Sequence, residues 1–415
     1  LNFGAAAQAT NKKAHEGEQA MKSLRILAIA AVLTCTQAWA GEKSIKIGIL
    51  GDQSGPYSDL GGAGSVLAAQ MAADDYGGKA LGKPIEIVAA DMQNKPDVAS
   101  SIARRWFDVE GVDAIADVPL TSVALAVQSV AREKKKILLI TAAASADLTG
   151  KACSPYTVHW MDDTRALSVG TGRAVVAAGG KQWFFLTPDY AFGAAMERAA
   201  SAAVIAAGGT VAGSAKFPLG TPDYSSYLLT AGASQASIFG LSTVGGDTIN
   251  AVKQAAEFGL TQNNRKIVVF LMFLPEVHAL GLAAAHGLYI TDGFYWDENQ
   301  KTRAWSQRFF ERLKKMPSKS QANTYAAVTN YLKALDAAKS DDAEAVAKQM
   351  KAGPLDYFGK PAVIRQTGRV VYDLTVYEVK KPDESKYPWD YYKPVRTVTT
   401  DEAFGPDVPG DCVLP

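Results

Sequence analysis

Ile45-Lys46-Ile47-Gly48-Ile49-Leu50-Gly51-Asp52-Gln53-Ser54-Gly55-Pro56 is the stretch that decides the fold of this chain. Its first six residues form a short, mostly apolar run, the pattern of a strand buried on both faces of a parallel sheet. Ser54-Gly55-Pro56 then breaks the strand, and Gly61-Gly62-Ala63-Gly64 leads into a helix expected over 65–76. Strand, loop and helix in that order make the opening half of a βα unit.

The alternation continues downstream. Strands are expected over 85–90, 114–117 and 137–141, with helices over 99–110 and 121–134. A second series starts after Asp162-Asp163, with strands over 183–186, 211–217, 237–241 and 266–270 and helices over 192–207, 224–233 and 248–258. Gly179-Gly180 and Gly208-Gly209 each stand between a helix and a strand, where C-capping glycines belong. The pattern predicts an α/β protein with two Rossmann-like lobes, each with a parallel central sheet. At 415 residues, two domains are expected. Beyond the two series lie amphipathic helices over 303–316, 323–338 and 343–351, and a closing β element over 370–379. The aromatic, Pro-punctuated tail Tyr387-Pro388-Trp389-Asp390-Tyr391-Tyr392 reads as an ordered strap.

Upstream of the first strand, Met21-Lys22-Ser23-Leu24-Arg25, an apolar run over 26–33 and Ala38-Trp39-Ala40 have the three parts of a secretory signal peptide cleaved after Ala40. Residues 1–20 read as an overextended gene start and are set aside. Export puts the mature chain in the periplasm, where its two cysteines, Cys153 and Cys412, either form one bridge or stay as separate thiols. The spacing leaves both open.

The formal net charge is +1, with 20% charged and 48% hydrophobic residues, which gives no electrostatic reason to bind nucleic acid or an anionic membrane. Gly62-Ala63-Gly64-Ser65-Val66-Leu67 departs from a dinucleotide fingerprint, because Leu67 stands where the third glycine belongs. No phosphate-loop or nucleophile-elbow motif occurs. His159, His278 and His286 lack partners at metal-ligand spacing. The reading is therefore a non-enzymatic protein with no catalytic residue, no metal and no cofactor, although His159 beside Trp160 lies at the join between the two series.

Open α/β sheets bind ligands at the carboxyl ends of their strands. Five loops fall there: 52–60, 118–122, 142–145, 187–192 and 242–247. Backbone N–H groups at Leu120-Thr121-Ser122, where a helix starts, suit a carboxylate. Tyr57, Trp160, Tyr190 and Phe192 offer apolar walls.

Ile47–Pro56, Asp189-Tyr190-x-Phe192-Gly193 and Ala255-Ala256-Glu257-Phe258-Gly259-Leu260 together resemble the type I periplasmic binding proteins, and within them the branched-chain amino-acid receptors that feed ABC importers. Tyr295-Trp296-Asp297, Arg303-Ala304-Trp305 and 386–392 are similar to a proteobacterial subgroup of those receptors. The resemblance implies two lobes joined by three crossovers, with an N-lobe over 44–160 and 291–363 and a C-lobe over 161–290 closed by 364–415. It implies a small-molecule solute, a membrane permease with its ATPase as partner, and a monomer. It places ligand contacts at Pro119, Leu120, Thr121 and Ser122, at Ala143, Ala144 and Ser145, and at Tyr190 and Phe192. The strand-end loops and the join between the series add Ser54, Tyr57, Leu60, Trp160, Asp189, Thr243, Gly245 and Asp247 as candidates.

One departure bears on the solute. Where the family pairs an acidic residue with a ligand ammonium, this chain reads Leu271-Met272-Phe273-Leu274-Pro275-Glu276. Glu276 and Phe273 compete for the place, and Asp189 and Asp247 are further ammonium partners to test. A branched-chain or related amino acid is placed first, an aromatic carboxylate second. A ligand-sensing role for a signalling partner and an exported enzyme are the readings of other classes.

Overall fold

A computed structural model describes residues 43–262 and 265–406, with 412 and 414. The signal-peptide segment and residues 1–20 lie outside the described residues. The opening strand β1 (Ile45–Gly51) forms as expected, with Ile47, Ile49 and Leu50 fully buried. It lies at the centre of a six-stranded sheet with β2 (Lys79–Ala80), β3 (Lys83–Asp91), β4 (Ala114–Asp117), β5 (Ile137–Ile140) and β6 (Thr157–His159). The order β2-β3-β1-β4-β5-β6 reverses direction at β1, and every pairing except the β2/β3 hairpin is parallel. Gly48 has a packing reason: a Cβ there would stand 2.3 Å from the Trp106 ring, which covers the sheet.

The second lobe repeats the plan. Strands β7 (Gln182–Pro188), β8 (Thr210–Phe217), β9 (Ile238–Leu241) and β10 (Lys266–Val269) pair in parallel in the order β10-β9-β7-β8. Trp183, Phe185 and Phe270 stack beneath this sheet with ring centroids 5.8–6.1 Å apart. Such pairs contribute roughly 0.5–1.5 kcal/mol each beyond simple burial.

The expected closing element over 370–379 is split. Strand β14 (Val370–Val371) pairs with β13 (Lys360–Ile364), which also pairs with β12 (Leu355–Tyr357). Strand β15 (Leu374–Val379) instead lies between β11 (Tyr289–Asp292) and β16 (Tyr392–Val398). The break at Tyr372-Asp373 is where the chain crosses between lobes, and periodicity cannot mark a strand that changes sheets. The other crossings follow β6 and β11, so three segments join the lobes. The helix Thr164–Ala177, capped by the Asp163 side chain on the Ala166 N–H at 2.9 Å, had no clear apolar stripe and was not expected from the sequence.

The aromatic tail is an ordered strap: Trp389 stacks on His278 at 3.9 Å, and its carbonyl accepts from the Trp296 indole N–H at 2.9 Å. Cys153 and Cys412 are joined in a disulfide with their Cα atoms 5.6 Å apart. Among the described residues no helix is long and apolar enough to cross a membrane.

Candidate functional site

The carboxyl ends of β1, β4 and β5 face those of β7, β9 and β10, and the walls there are mostly apolar. Tyr57, Leu60, Pro119, Ala142 and Ala144 line the first-lobe side of a cavity of about 20 Å³. Tyr190, Phe192, Val244, Leu271 and Phe273 line the other side, and Ser320 completes it. A space of that size holds about one water, so the two lobes are closed on each other. A neighbouring cavity of about 190 Å³, walled by Pro56, Gly220 and Asp247, shares Tyr57 and Val244 with the first.

Each wall residue has a local cause. The buried Asp52 carboxylate accepts from the backbone N–H groups of Gly55 at 2.6 Å and Tyr57 at 2.9 Å, and from the Asn94 side chain at 2.8 Å. This holds the loop over 52–60 in a tight Asx-type turn and swings Tyr57 inward. Asp117 and Val118 take left-handed backbone angles, φ 83° and 57°, just before Pro119. That conformation costs on the order of 1–3 kcal/mol per residue and clusters at ligand sites. Burial also pushes the Asp117 carboxyl up to about 7. On the far side, Tyr190 and Phe192 bracket the start of the helix Ala191–Ala206, with their rings 5.9 Å apart. The Tyr57 and Tyr190 hydroxyls neighbour each other across the closed lobes.

The remaining expected residues take other places. Ser54 is exposed and donates to Asp91 Oδ2 at 2.7 Å. Leu120 and Ala143 are buried behind the wall, and Ser122 is half-buried one position into the helix Thr121–Glu133. Thr121 is buried, and its Oγ1 has no hydrogen-bond partner among the described residues. The Ser145 hydroxyl accepts from Asp147 N at 3.3 Å, Thr243 bonds Thr248 at 2.8 Å, and Asp189 is exposed. Trp160 faces a different and larger cavity, about 500 Å³, whose walls also include Trp305 and Phe358. That cavity shares no lining residue with the smaller one.

The competition between Phe273 and Glu276 has a geometric outcome. The Phe273 ring lines the cavity. Glu276 is buried and accepts from the N–H groups of Phe273 and Gly245, both at 2.6 Å. It therefore caps the helix Leu274–Leu280 and pins the loop over 242–247 to it. Burial pushes its carboxyl up to about 8 against the pull of those two N–H groups and of Lys319. Asp247 is likewise engaged, accepting from Gly220 N at 3.1 Å and the Tyr224 hydroxyl at 3.0 Å.

Sequence reasoning missed what ties the crossovers together. Buried Lys319 places its Nζ 3.3 Å from Asp292 Oδ1 and 3.6 Å from Asp162 Oδ2. Asp162 also accepts from Tyr372 Oη and Gly293 N, both at 2.9 Å, so residues from all three crossings meet here. Burial, reinforced by Asp162 and opposed by Lys319, pushes the Asp292 carboxyl up to about 6. The Lys319 ammonium also lies 5.4 Å from the centre of the Phe273 ring. The one hint in sequence was Asp162-Asp163 at the seam between the two series.

His159 is buried at the same seam. Its Nε2–H donates to the Ala143 carbonyl at 2.7 Å, while Nδ1 accepts from Arg369 Nη1 at 2.8 Å. An arginine can only donate, so this assigns the neutral tautomer. Burial first and the Arg369 charge second hold its pKa well below the ordinary value. Among the described residues no group of three or more His, Cys, Asp or Glu side chains is placed to hold a metal ion.

Residues 44–385 match the family model described as periplasmic binding protein. A periplasmic binding protein of Burkholderia mallei is 48% identical, with a TM-score of 0.87 over 90% of this chain and 99% of that one. A branched-chain amino acid ABC transporter periplasmic ligand-binding protein of Burkholderia xenovorans is 40% identical, with a TM-score of 0.79 over 88% and 97% of the two chains. The fold is shared by an ABC transporter solute binding protein of Rhodopseudomonas palustris in complex with benzoate, at 20% identity and a TM-score of 0.78 over 88% and 100%. A comparison with curated proteins finds no relative. The match over nearly all of both lobes, with the paired parallel sheets and three crossings, means that this chain belongs to the type I periplasmic binding proteins, in the branched-chain amino-acid receptor family of ABC importers.

Proposed function

We propose that the protein captures a small carboxylate with an apolar body and no amino group, and delivers it to an ABC-type membrane permease. The observation that carries this reading is the Phe273 ring in the cavity wall, with Glu276 turned away onto two backbone N–H groups. No carboxylate stands among the residues that line the cavity. An ammonium enclosed there would lose its water without gaining a counter-charge, a penalty of several kcal/mol. A ring or branched chain would gain about 25 cal/mol per Å² of apolar surface against Tyr57, Leu60, Phe192 and Phe273. The carboxylate suits the start of the helix Thr121–Glu133, where the free N–H groups and the Thr121 hydroxyl lie. A solute touching both lobes stabilises the closed form by the difference in its affinity for the two forms, and the closed form docks on the permease.

The second reading is a branched-chain amino acid, favoured by the 40% identical protein whose name carries that solute class. A thermal-shift screen of the mature protein separates the two. Benzoate at 100 times its dissociation constant stabilises by about 2.7 kcal/mol. If leucine, isoleucine or valine shift the melt and benzoate does not, the proposal is wrong.

A further inference from the structure

Apart from Tyr57 and Tyr190, Ser320 is the residue that brings a polar side chain to the cavity wall. It is fully buried, it lines the cavity, and its Oγ has no hydrogen-bond partner among the described residues. It is the second residue of the helix Lys319–Ala338, twenty residues long. The first N–H groups of a helix have no carbonyl within it to bond, and they carry the positive end of its dipole. Ser318 Oγ takes the Gln321 N–H at 3.3 Å, which leaves the N–H groups of Lys319 and Ser320 to whatever lies ahead of the helix.

The platform under Ser320 is rigid and tied to the loops that make the cavity. Gln321 Nε2 donates to the Gly61 carbonyl at 3.1 Å, and Asn323 Nδ2 to the Thr141 carbonyl at 3.3 Å. Thr324 Oγ1 donates to the Ser320 carbonyl at 2.9 Å. A buried hydroxyl with no partner is unfavourable, and alanine would keep the helix and avoid the penalty. The hydroxyl therefore has its use when the cavity is filled.

We propose that Ser320 is a specificity-determining residue, and that the solute carries a second, neutral oxygen acceptor in addition to its carboxylate. This rests on the carboxylate reading above. The N–H groups at the helix start favour an acceptor over a donor. The adjacent Lys319 charge is already opposed by two carboxylates, Asp162 and Asp292, so no surplus positive charge calls for a second anion. A hydroxyl or carbonyl oxygen on the apolar body fits.

Calorimetric titration of the mature wild type and Ser320→Ala tests this with benzoate, 3-hydroxybenzoate and 4-hydroxybenzoate, and with leucine as control. In wild type one hydroxylated acid is expected to bind about tenfold more tightly than benzoate, as one added hydrogen bond allows. Ser320→Ala removes that preference and leaves benzoate affinity within about twofold, while the ligand-free melting temperature holds or rises. Benzoate binding with no preference for a hydroxylated acid, or a preference that survives in Ser320→Ala, overturns the role of Ser320 alone. Leucine binding with no acid bound overturns the carboxylate reading and this inference together.

Discussion

The ammonium of Lys319 lies 3.3 Å from Asp292 Oδ1, with both side chains buried where the second crossover leaves its lobe. One cation here faces two carboxylates, since Asp162 stands on its other side at 3.6 Å. Removing the cation leaves buried negative charge without a counter-charge. Lys319→Met is expected to lower stability by about 3–5 kcal/mol in urea unfolding at pH 8. The loss shrinks at pH 5, below the raised Asp292 value of about 6, where that carboxyl can take up a proton. In wild type the raised Asp292 carboxyl holds a proton more tightly when folded, so its contribution is full at low pH and fades as pH rises through about 6. A loss equal at both pH values would show that the carboxylates do not depend on Lys319.

Glu276 makes a second buried carboxyl whose work is structural. Gln at this position keeps one accepting oxygen but turns an N–H₂ donor towards a backbone N–H. Glu276→Gln should lower stability by roughly 1–3 kcal/mol. Its carboxyl is also raised, to about 8, so the wild-type stability it supplies is present at low pH and lost as pH climbs through that value. The variant should therefore show a flatter stability profile between pH 5 and 8. Unchanged stability and slope would remove Glu276 from the cap.

His159 has the opposite sign. Its folded form is neutral, while the unfolded imidazole takes up a proton below about 6.5. Stability is thus full above that pH and falls as the solution is acidified. His159→Gln can still accept from Arg369 and donate to Ala143, so it should fold with a loss of under about 1.5 kcal/mol and a weaker acid dependence. His159→Leu leaves Arg369 paired with Asp163 Oδ2 at 3.3 Å but strips its Nη1 of an acceptor and the Ala143 carbonyl of a donor, and should lose about 2–3 kcal/mol. Equal losses in the two variants would mean that the hydrogen bonds are unimportant.

The disulfide between Cys153 and Cys412 spans 259 residues of chain. Closing a loop of that length stabilises by about 2–5 kcal/mol, through the unfolded chain in the entropic account. Dithiothreitol should lower the melting temperature of wild type and leave Cys153→Ala untouched. A reductant-insensitive wild type would contradict the bridge.

Phe273 supplies the wall that an amino-acid receptor would give to a carboxylate. Phe273→Ala should weaken benzoate binding at least tenfold, the loss of about 1.4 kcal/mol of ring contact, with the circular dichroism spectrum unchanged. Retained affinity would place the solute elsewhere.

The βα alternation was legible because a strand covered on both faces must be mostly apolar, as 45–50 and 137–140 are, and because glycines punctuate the helix ends. The loops at the strand ends were legible for the same reason: sheet order places them together whatever their composition. Ala142 and Val244 stand within loops chosen on that ground, although the residues named in those loops were their neighbours. The helix Thr164–Ala177 and the split after Val371 were not legible, because neither weak amphipathicity nor a change of sheet leaves a periodic mark.

By itself the sequence determined the two-lobed α/β plan and the family, since both are carried by local patterns and their order along the chain. Only the tertiary structure decided which side chain meets the cavity. Phe273 and Glu276 are three residues apart on one turn, and a local pattern treats them as near-equals. Which one is spent on backbone N–H groups depends on Gly245, thirty-one positions upstream. The same holds for Lys319 and Ser320: in sequence they are two polar residues opening a helix, as solvated residues often do. The packing of three crossovers buries both, turning one into the tie between the lobes and leaving the other unpaired at the cavity wall.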